Sequence, residues 1–408
     1  MTTPPLTWPE LEARANHRID RVAGPTNAPS RLRLFGATEA DVRVTLYRDH
    51  HAWCPYCQKI WLWLEERRVP YRVRKVTMFC YGDKEPWFLR RVPSGMLPAL
   101  ELDGDLITES DVILGRLEGA FGPLGPMALK SEAAWPLRQL ERALFGAWCA
   151  WLCRPARTRA QRDARREAFR SVAREVERAL ESTDGPWFGA DLSAVDLVFV
   201  PYVERMNASL FYYKGYSLRE EHPAIDRWLS ALERRPTYLG TQSDIHTHVH
   251  DLPPQMGGCF ADDTEAARRN RHQVDEGPWD ASLPDTRREA PPEAATEALS
   301  RVVAHRDTLL RINPAASGDR LDHALRAALT TLVIGDDTAA AVAPPAGTDA
   351  ALRYVRDRIN VPRDMSLHAA RALRTALEAT AARAGDAPGP PIPTRHRRDQ
   401  DPAPFRAR

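Results

Sequence analysis

The sequence predicts an α/β unit on the N-terminal side followed by all-helical blocks. Three observations carry this prediction. Strand-like and helix-like periods alternate over 41–122. Over 127–250 apolar residues, rich in Trp, Leu and Ala, recur at helical spacing. After an irregular stretch at 251–291 the helical period returns over 292–384. At 408 residues, two or three domains are expected rather than one core.

Residues 1–40 are a lead-in, in which Thr7-Trp8-Pro9-Glu10 reads as a capping box opening a short helix. A loop with Gly, Pro and Asn follows at 24–30. The run Val42-Arg43-Val44-Thr45-Leu46-Tyr47 is the first strand. A helix over 55–67 follows, with Ile60, Trp61, Leu62 and Leu64 dense enough to face a sheet. Tyr71-Arg72-Val73-Arg74-Lys75-Val76 alternates as a second strand. A short helix is expected over 84–91. Strands at 99–102 and 106–108 flank Asp103-Gly104, a two-residue hairpin signal. Ser110 then caps a helix running through Leu114 and Leu117 to Phe121. Parallel strands joined by a crossover, plus a terminal hairpin, make a mixed sheet over 41–122 in a thioredoxin-like arrangement.

Gly122-Pro123-Leu124-Gly125-Pro126 is a linker. In the helical block that follows, Ser193 caps a helix with Asp196 three residues on. The stretch 251–291 reads as an irregular linker. Leu321, Ala324, Leu325, Ala328, Leu329 and Leu332 mark one helix of the C-terminal extension. Leu367, Ala370, Leu373 and Leu377 mark another. The tail 385–408 is Pro-rich and basic and is expected to be disordered.

A net charge of +2 gives no global argument for nucleic acid or an acidic membrane. No apolar run approaches the ~20 residues of a membrane span, and no charged-then-apolar leader opens the chain. The six cysteines are too sparse for a disulfide framework, which favours a reducing compartment. A soluble, cytoplasmic protein is expected.

The chemistry lies in Cys54-Pro55-Tyr56-Cys57, between the first strand and an amphipathic helix. That is the layout of a thiol–disulfide site. Pro55 suits a first helical turn, so Cys54 falls at the helix N-terminus, where free N–H groups and the helix dipole favour a thiolate. Half a zinc site and two buried thiols remain as alternatives. Cys149-x-x-x-Cys153 is a second ligand pair only on paper, because its spacing also suits a helix face. Cys57 reads either as a resolving cysteine or as a small packed residue. Cys80 and Cys259 read as small packed residues. His246, His248 and His250 with Asp251 would share one face of a strand. The stretch reads as irregular, however, and no metal is expected. Trp148, Trp151, Tyr202 and Tyr212 either line a pocket for an apolar or aromatic second substrate or pack helices together.

Four segments carry a family resemblance. They are Cys54-Pro55-Tyr56-Cys57, Lys84-Glu85-Pro86-Trp87-Phe88, Val92 to Leu100 with Leu97-Pro98 at its heart, and Glu109-Ser110. In this order and spacing, over 42–240, they resemble the glutathione transferase superfamily in its cysteine-containing branch. The second cysteine and the long extension are most similar to the iota class, as are the segments 245–259 and 358–365. The resemblance implies a thioredoxin-like domain, an all-α transferase domain and glutathione as co-substrate. It implies Cys54 as nucleophile, with Cys57 beside it and Tyr56 on the same glutathione-facing turn. Lys84 would meet a glutathione carboxylate. Leu97, before a cis-Pro98, would offer backbone bonds to the cysteinyl part. Glu109 and Ser110 would hold the γ-glutamyl end. The superfamily commonly dimerises, which leaves a homodimer open.

The expected function is a glutathione-dependent thiol transferase or reductase acting on small disulfides or electrophilic substrates, without nucleic acid or membrane as partner. The alternatives are glutathione conjugation and non-enzymatic binding of a ligand or cofactor.

Overall fold

The computed structural model describes residues 4–316, 318–335 and 342–385. The Pro-rich basic tail expected to be disordered lies, beyond Gly385, outside the described residues.

A five-stranded mixed sheet has the order β1-β3-β2-β4-β5. Its strands are β1 (Leu32–Arg33), β2 (Val44–Asp49), β3 (Tyr71–Val76), β4 (Ala99–Leu102) and β5 (Asp105–Thr108). β2 pairs parallel with β3; the other pairings are antiparallel. The parallel pair is joined through α2 (Pro55–Glu66), and α3 (Pro86–Arg91) and α4 (Ser110–Phe121) complete the unit. The lead-in thus gives the sheet an edge strand that the sequence did not signal. β1 is two residues long, and its Leu32↔Arg72 register is set by backbone pairing.

The sequence of α2 is apolar on nearly every side, and Cys57 through Glu65 are all buried. A helix of that kind needs cover all round. The sheet and α4 cover one side, and α7 (Ala194–Lys214) covers the other. α7 starts with the expected capping box, Ser193 with Asp196, and is buried along its whole length. It ends at Gly215, φ +62°, where a Cβ would lie 2.6 Å from the Ala267 backbone nitrogen. α5 (Ala134–Leu152) and α8 (Leu218–Glu221) pack on α7, α6 (Arg159–Glu181) packs on α5 and on α9 (Pro223–Leu232), and α10 (Pro236–Leu239) packs on α2.

The stretch expected to be an irregular linker is helical in two places and irregular between and after them. It holds the end of α11 (Ile245–Met256) and all of α12 (Glu265–Glu276). Both pack on α7. Pro253 and Pro254 lie inside α11. Pro253 has no N–H for the Val249 carbonyl, and the Tyr213 hydroxyl donates there instead at 2.7 Å.

The extension is a bundle of α13 (Ala294–Ile312), α14 (Gly318–Ile334), α15 (Asp349–Arg358) and α16 (Leu367–Ala384). Its core has an unexpected member, Leu11 of α1 (Trp8–Arg14). The Trp8 indole donates to Asp322 at 2.7 Å and the Leu6 N–H to Thr330 at 2.9 Å. The lead-in helix therefore closes the C-terminal bundle. The bundle is tied to α11: Asn360 donates to Asp251 at 2.7 Å, the Val361 N–H donates to Thr247 at 3.1 Å, and Arg374 pairs with Asp244. Among the described residues, no helix is long and apolar enough to cross a membrane.

Candidate functional site

Sheet register brings the four motif segments to one end. Asp49 pairs with Val76, Tyr47 with Ala99, and Ala99 with Thr108. The chain leaving β2 toward Cys54, the chain leaving β3 toward Lys84, Pro98 entering β4 and Glu109 leaving β5 are therefore neighbours.

The turn into α2 is fixed by its own polar groups. The Trp53 N–H donates to the buried Asp49 carboxylate at 2.7 Å. Cys54 is the N-cap of α2 and Pro55 its first residue. The Gln58 N–H closes the first turn onto the Cys54 carbonyl at 3.0 Å. Cys54 is 5% exposed and Cys57 1%, and both are free thiols. They share an apolar cluster with Met78, Cys80 and Tyr81, against which Leu97 packs. The Leu97–Pro98 peptide is cis. Burial pushes the Cys57 thiol well up, and its hydrogen bond with Cys54 and the charge on Cys54 push it further. Cys57 is the member of the pair that keeps its proton.

Two cations flank the sulfurs. Burial pulls the Lys84 ammonium down, and the nearby Cys57 and Cys54 sulfurs and the Asp49 and Glu85 carboxylates oppose it. Its Nζ donates to the Thr77 carbonyl at 3.1 Å and lies 5.9 Å from the Phe88 ring centre. Burial raises the neighbouring Glu85 carboxyl, but hydrogen bonds with His50 and Thr77 outweigh it and hold it at about 2. The second cation is Arg205 of α7, which is buried. It donates to the Trp53 carbonyl, to Gln58 at 3.1 Å and to the Pro201 carbonyl at 2.6 Å. It also stacks 4.6 Å from the Trp53 ring centre.

On the far side of Pro98, Glu109 is the N-cap of α4 with φ +63°. A non-glycine residue in that region is uncommon and clusters at ligand-holding sites. Its side chain is exposed, while Ser110 is buried at the helix start. One residue on, Asp111 accepts from Lys59 of α2 at 2.7 Å.

Sequence reasoning missed a buried network behind the turn. The Trp53 indole donates to His248 Nδ1 at 3.0 Å, and His248 Nε2 meets Glu204 at 2.9 Å. Glu204 also accepts from Gln58 at 2.9 Å and from the Ser243 N–H at 2.6 Å. A proton on Nε2 satisfies both ring contacts. Burial lowers the His248 pKa against the opposing pull of Glu204, which agrees with a neutral ring. The three histidines stand on a helix, so His246 and His250 share a side, with rings 4.7 Å apart, while His248 faces Trp53. His250 meets Asp275 at 2.9 Å. Among the described residues, no three His, Cys, Asp or Glu side chains are arranged to hold a metal ion.

The aromatic residues divide. Tyr56 is 37% exposed and meets Tyr202 edge-on at 5.9 Å. Tyr202 continues into Phe145 at 5.1 Å, and Phe145 into Trp148 at 5.6 Å. Arg142 stacks on Phe145 and Tyr202. Trp151 packs instead on Phe169 and Tyr216, and Tyr212 donates to Asp275 at 2.9 Å.

Residues 53–120 match the family model of the glutathione S-transferase N-terminal domain, and residues 159–231 that of the C-terminal domain. Glutathione S-transferase DHAR2 of Arabidopsis thaliana is 29% identical over 191 residues, 47% of this chain and 84% of the relative. Glutathione S-transferase L3 of the same plant is 25% identical over 192 residues, 47% of this chain and 79% of the relative. Among solved structures, glutathione transferase Omega 3C from Trametes versicolor aligns at 26% identity and TM-score 0.43, covering 52% of this chain and 90% of its own.

Proposed function

We infer, from the matches of residues 53–120 and 159–231 to the glutathione S-transferase domain models, a glutathione-dependent thiol transferase whose nucleophile is Cys54. The observation that carries this reading is the asymmetric pair at the start of α2. Cys54 is the N-cap, with Lys84 facing it, while Cys57 is buried and holds its proton. We assign the protein to the cysteine-containing branch, most like the iota class, because it joins a Cys-Pro-Tyr-Cys turn to a long helical extension.

In the first step the Cys54 thiolate attacks the glutathione sulfur of a mixed disulfide. The substrate thiolate leaves and takes up a proton, and Cys54 is left joined to glutathione. A second glutathione thiolate attacks the glutathione sulfur of that disulfide. Oxidised glutathione departs and the Cys54 thiolate returns. Attack needs three sulfurs in line, so the peptide is clamped at both ends. Lys84 takes its glycyl carboxylate. The Leu97 backbone beside cis-Pro98 pairs with its cysteinyl part. Glu109 and Ser110, at the α4 N-terminus, take the γ-glutamyl end. Tyr56 borders the second substrate with Tyr202 and Trp148 packed behind it, while Trp151 and Tyr212 belong to the helical core rather than to that pocket. Cys57 offers an internal escape by closing on Cys54.

Cys54→Ser should abolish glutathione-dependent reduction of hydroxyethyl disulfide, and Cys57→Ser should leave it largely intact. Survival of activity in Cys54→Ser would sink the mechanism. Turnover of chlorodinitrobenzene in its place would favour conjugation.

A further inference from the structure

Three of the remaining cysteines meet far from the α2 turn. Cys149 and Cys153 lie at the end of α5, with Cys153 as its C-cap. Cys259 lies in the segment that follows α11, just after Gly257 and Gly258, both at positive φ. That segment is pinned on two sides. The Phe260 N–H donates to the Leu152 carbonyl at 2.9 Å, and the Asp262 N–H to the Tyr213 carbonyl at 2.7 Å. The first of these bonds sets Cys259 directly beside Cys153. The Cys153 thiol lies close enough to those of Cys149 and Cys259 for both to shift its titration. All three are free and, unlike Cys54 and Cys57, only partly buried. Lys214, paired with Asp262 at 3.1 Å, holds its ammonium beside Cys259 and Cys153.

We propose that Cys153 and Cys259 form a second dithiol site, which closes a reversible disulfide when a small-molecule disulfide such as oxidised glutathione is the oxidant. The geometry selects this pair. Cys149 and Cys153 stand four apart on one helix, so their Cα–Cβ bonds run parallel rather than toward each other. Cys153 and Cys259 come from two segments that a backbone bond brings side by side. The contact with Cys149 pulls the Cys153 thiol down, but the contact with Cys259, burial and the charge on Cys259 outweigh it and push it up to about 12. Cys259 is therefore the attacking sulfur. Its thiolate attacks the oxidant's disulfide and releases one thiolate, giving a mixed disulfide on Cys259. Cys153 gives up its proton and attacks Cys259, releasing the second thiolate. Two protein thiols are oxidised and one disulfide is reduced to two thiols. The product clamps the segment after α11 onto the end of α5.

The test is peptide mapping of the full chain under non-reducing conditions. The reduced protein is incubated with excess oxidised glutathione, its free thiols are alkylated, and it is digested. The expected species is a cross-link between the Cys153 and Cys259 peptides, two hydrogens lighter than their sum, which dithiothreitol removes. It should persist in Cys54→Ser and in Cys149→Ser and be lost in Cys153→Ser and Cys259→Ser. Absence of the cross-link from the wild-type chain overturns the proposal, whatever the state of Cys54. So does its loss in Cys149→Ser, which would assign the bond to Cys149 and Cys259. Cys54 glutathionylation is read in the same digest, so failure here is separable from failure of the catalytic reading.

Discussion

Replacing His248 by Phe tests whether the network behind the α2 turn holds the reacting cysteine in place. The ring volume is nearly kept while both polar contacts go. Trp53, His248 and Glu204 are all buried, so no solvent replaces what is lost. The Trp53 indole N–H, now 3.0 Å from its acceptor, would be left unmade at about 1–3 kcal/mol. Glu204 would lose one of three donors, a bond to a charged group worth about 1.5–3 kcal/mol. Gln58 and Ser243 still donate to it, so the lower end of that range applies. A phenyl ring is easier to bury than an imidazole, which returns about 1 kcal/mol. The net loss is roughly 1.5–3.5 kcal/mol, read as a fall in the urea midpoint by tryptophan fluorescence. A cycle with Trp53→Phe sharpens it. The double variant has no orphaned indole, so its loss should fall short of the sum of the single losses by about 1–2 kcal/mol. A loss below about 0.5 kcal/mol for His248→Phe, or strict additivity, would refute the network as the tie between the turn and α11.

Burial depresses the pKa values of His248 and of His368, the latter to about 4. Below about 6.5 the unfolded chain binds protons that the folded chain refuses, so stability is full above that value and falls as pH drops toward 4. Urea midpoints at pH 7.5 and 5.5 should differ, and the difference should shrink in His368→Gln; a flat profile contradicts the shifts. Gly215→Ala puts a Cβ 2.6 Å from the Ala267 nitrogen at φ +62° and should cost at least about 2 kcal/mol by thermal melting, whereas a neutral result would mean that α12 gives way freely. Lys84→Met should raise the KM for glutathione roughly ten- to hundredfold by removing a charge-assisted bond, and an unchanged KM would remove Lys84 from the binding role.

Segments whose partner is close in sequence, or whose periodicity is strong, were legible. The strand pattern at Tyr71–Val76, the Asp103-Gly104 hairpin and the Ser193–Asp196 capping box all reappear in the structure. The cis peptide before Pro98, which only the family resemblance implied, is present as well. α11 was not legible because two prolines argue locally against a helix. The bond that replaces the missing N–H comes from Tyr213, 36 residues away. α12 is polar, and only one side of it meets α7. The role of His248 was hidden because a histidine that accepts from one buried group and donates to another has no mark in the chain. Arg205 was hidden likewise, since an arginine inside a buried helix is explained only by the carbonyls and ring it faces.

The docking of α1 has a consequence for the order of synthesis. Trp8 bonds to a residue 314 positions later. At about 5–20 residues per second, a ribosome needs roughly 15–60 s to make that partner after Trp8 has been added. The sheet and the helices around α7 are complete well before then. For that interval the first helix to emerge is an amphipathic segment with nowhere to go, and Leu11 stays in water or on a chaperone. A nascent chain stalled before α13 would carry a finished cysteine site and an orphaned N-terminus.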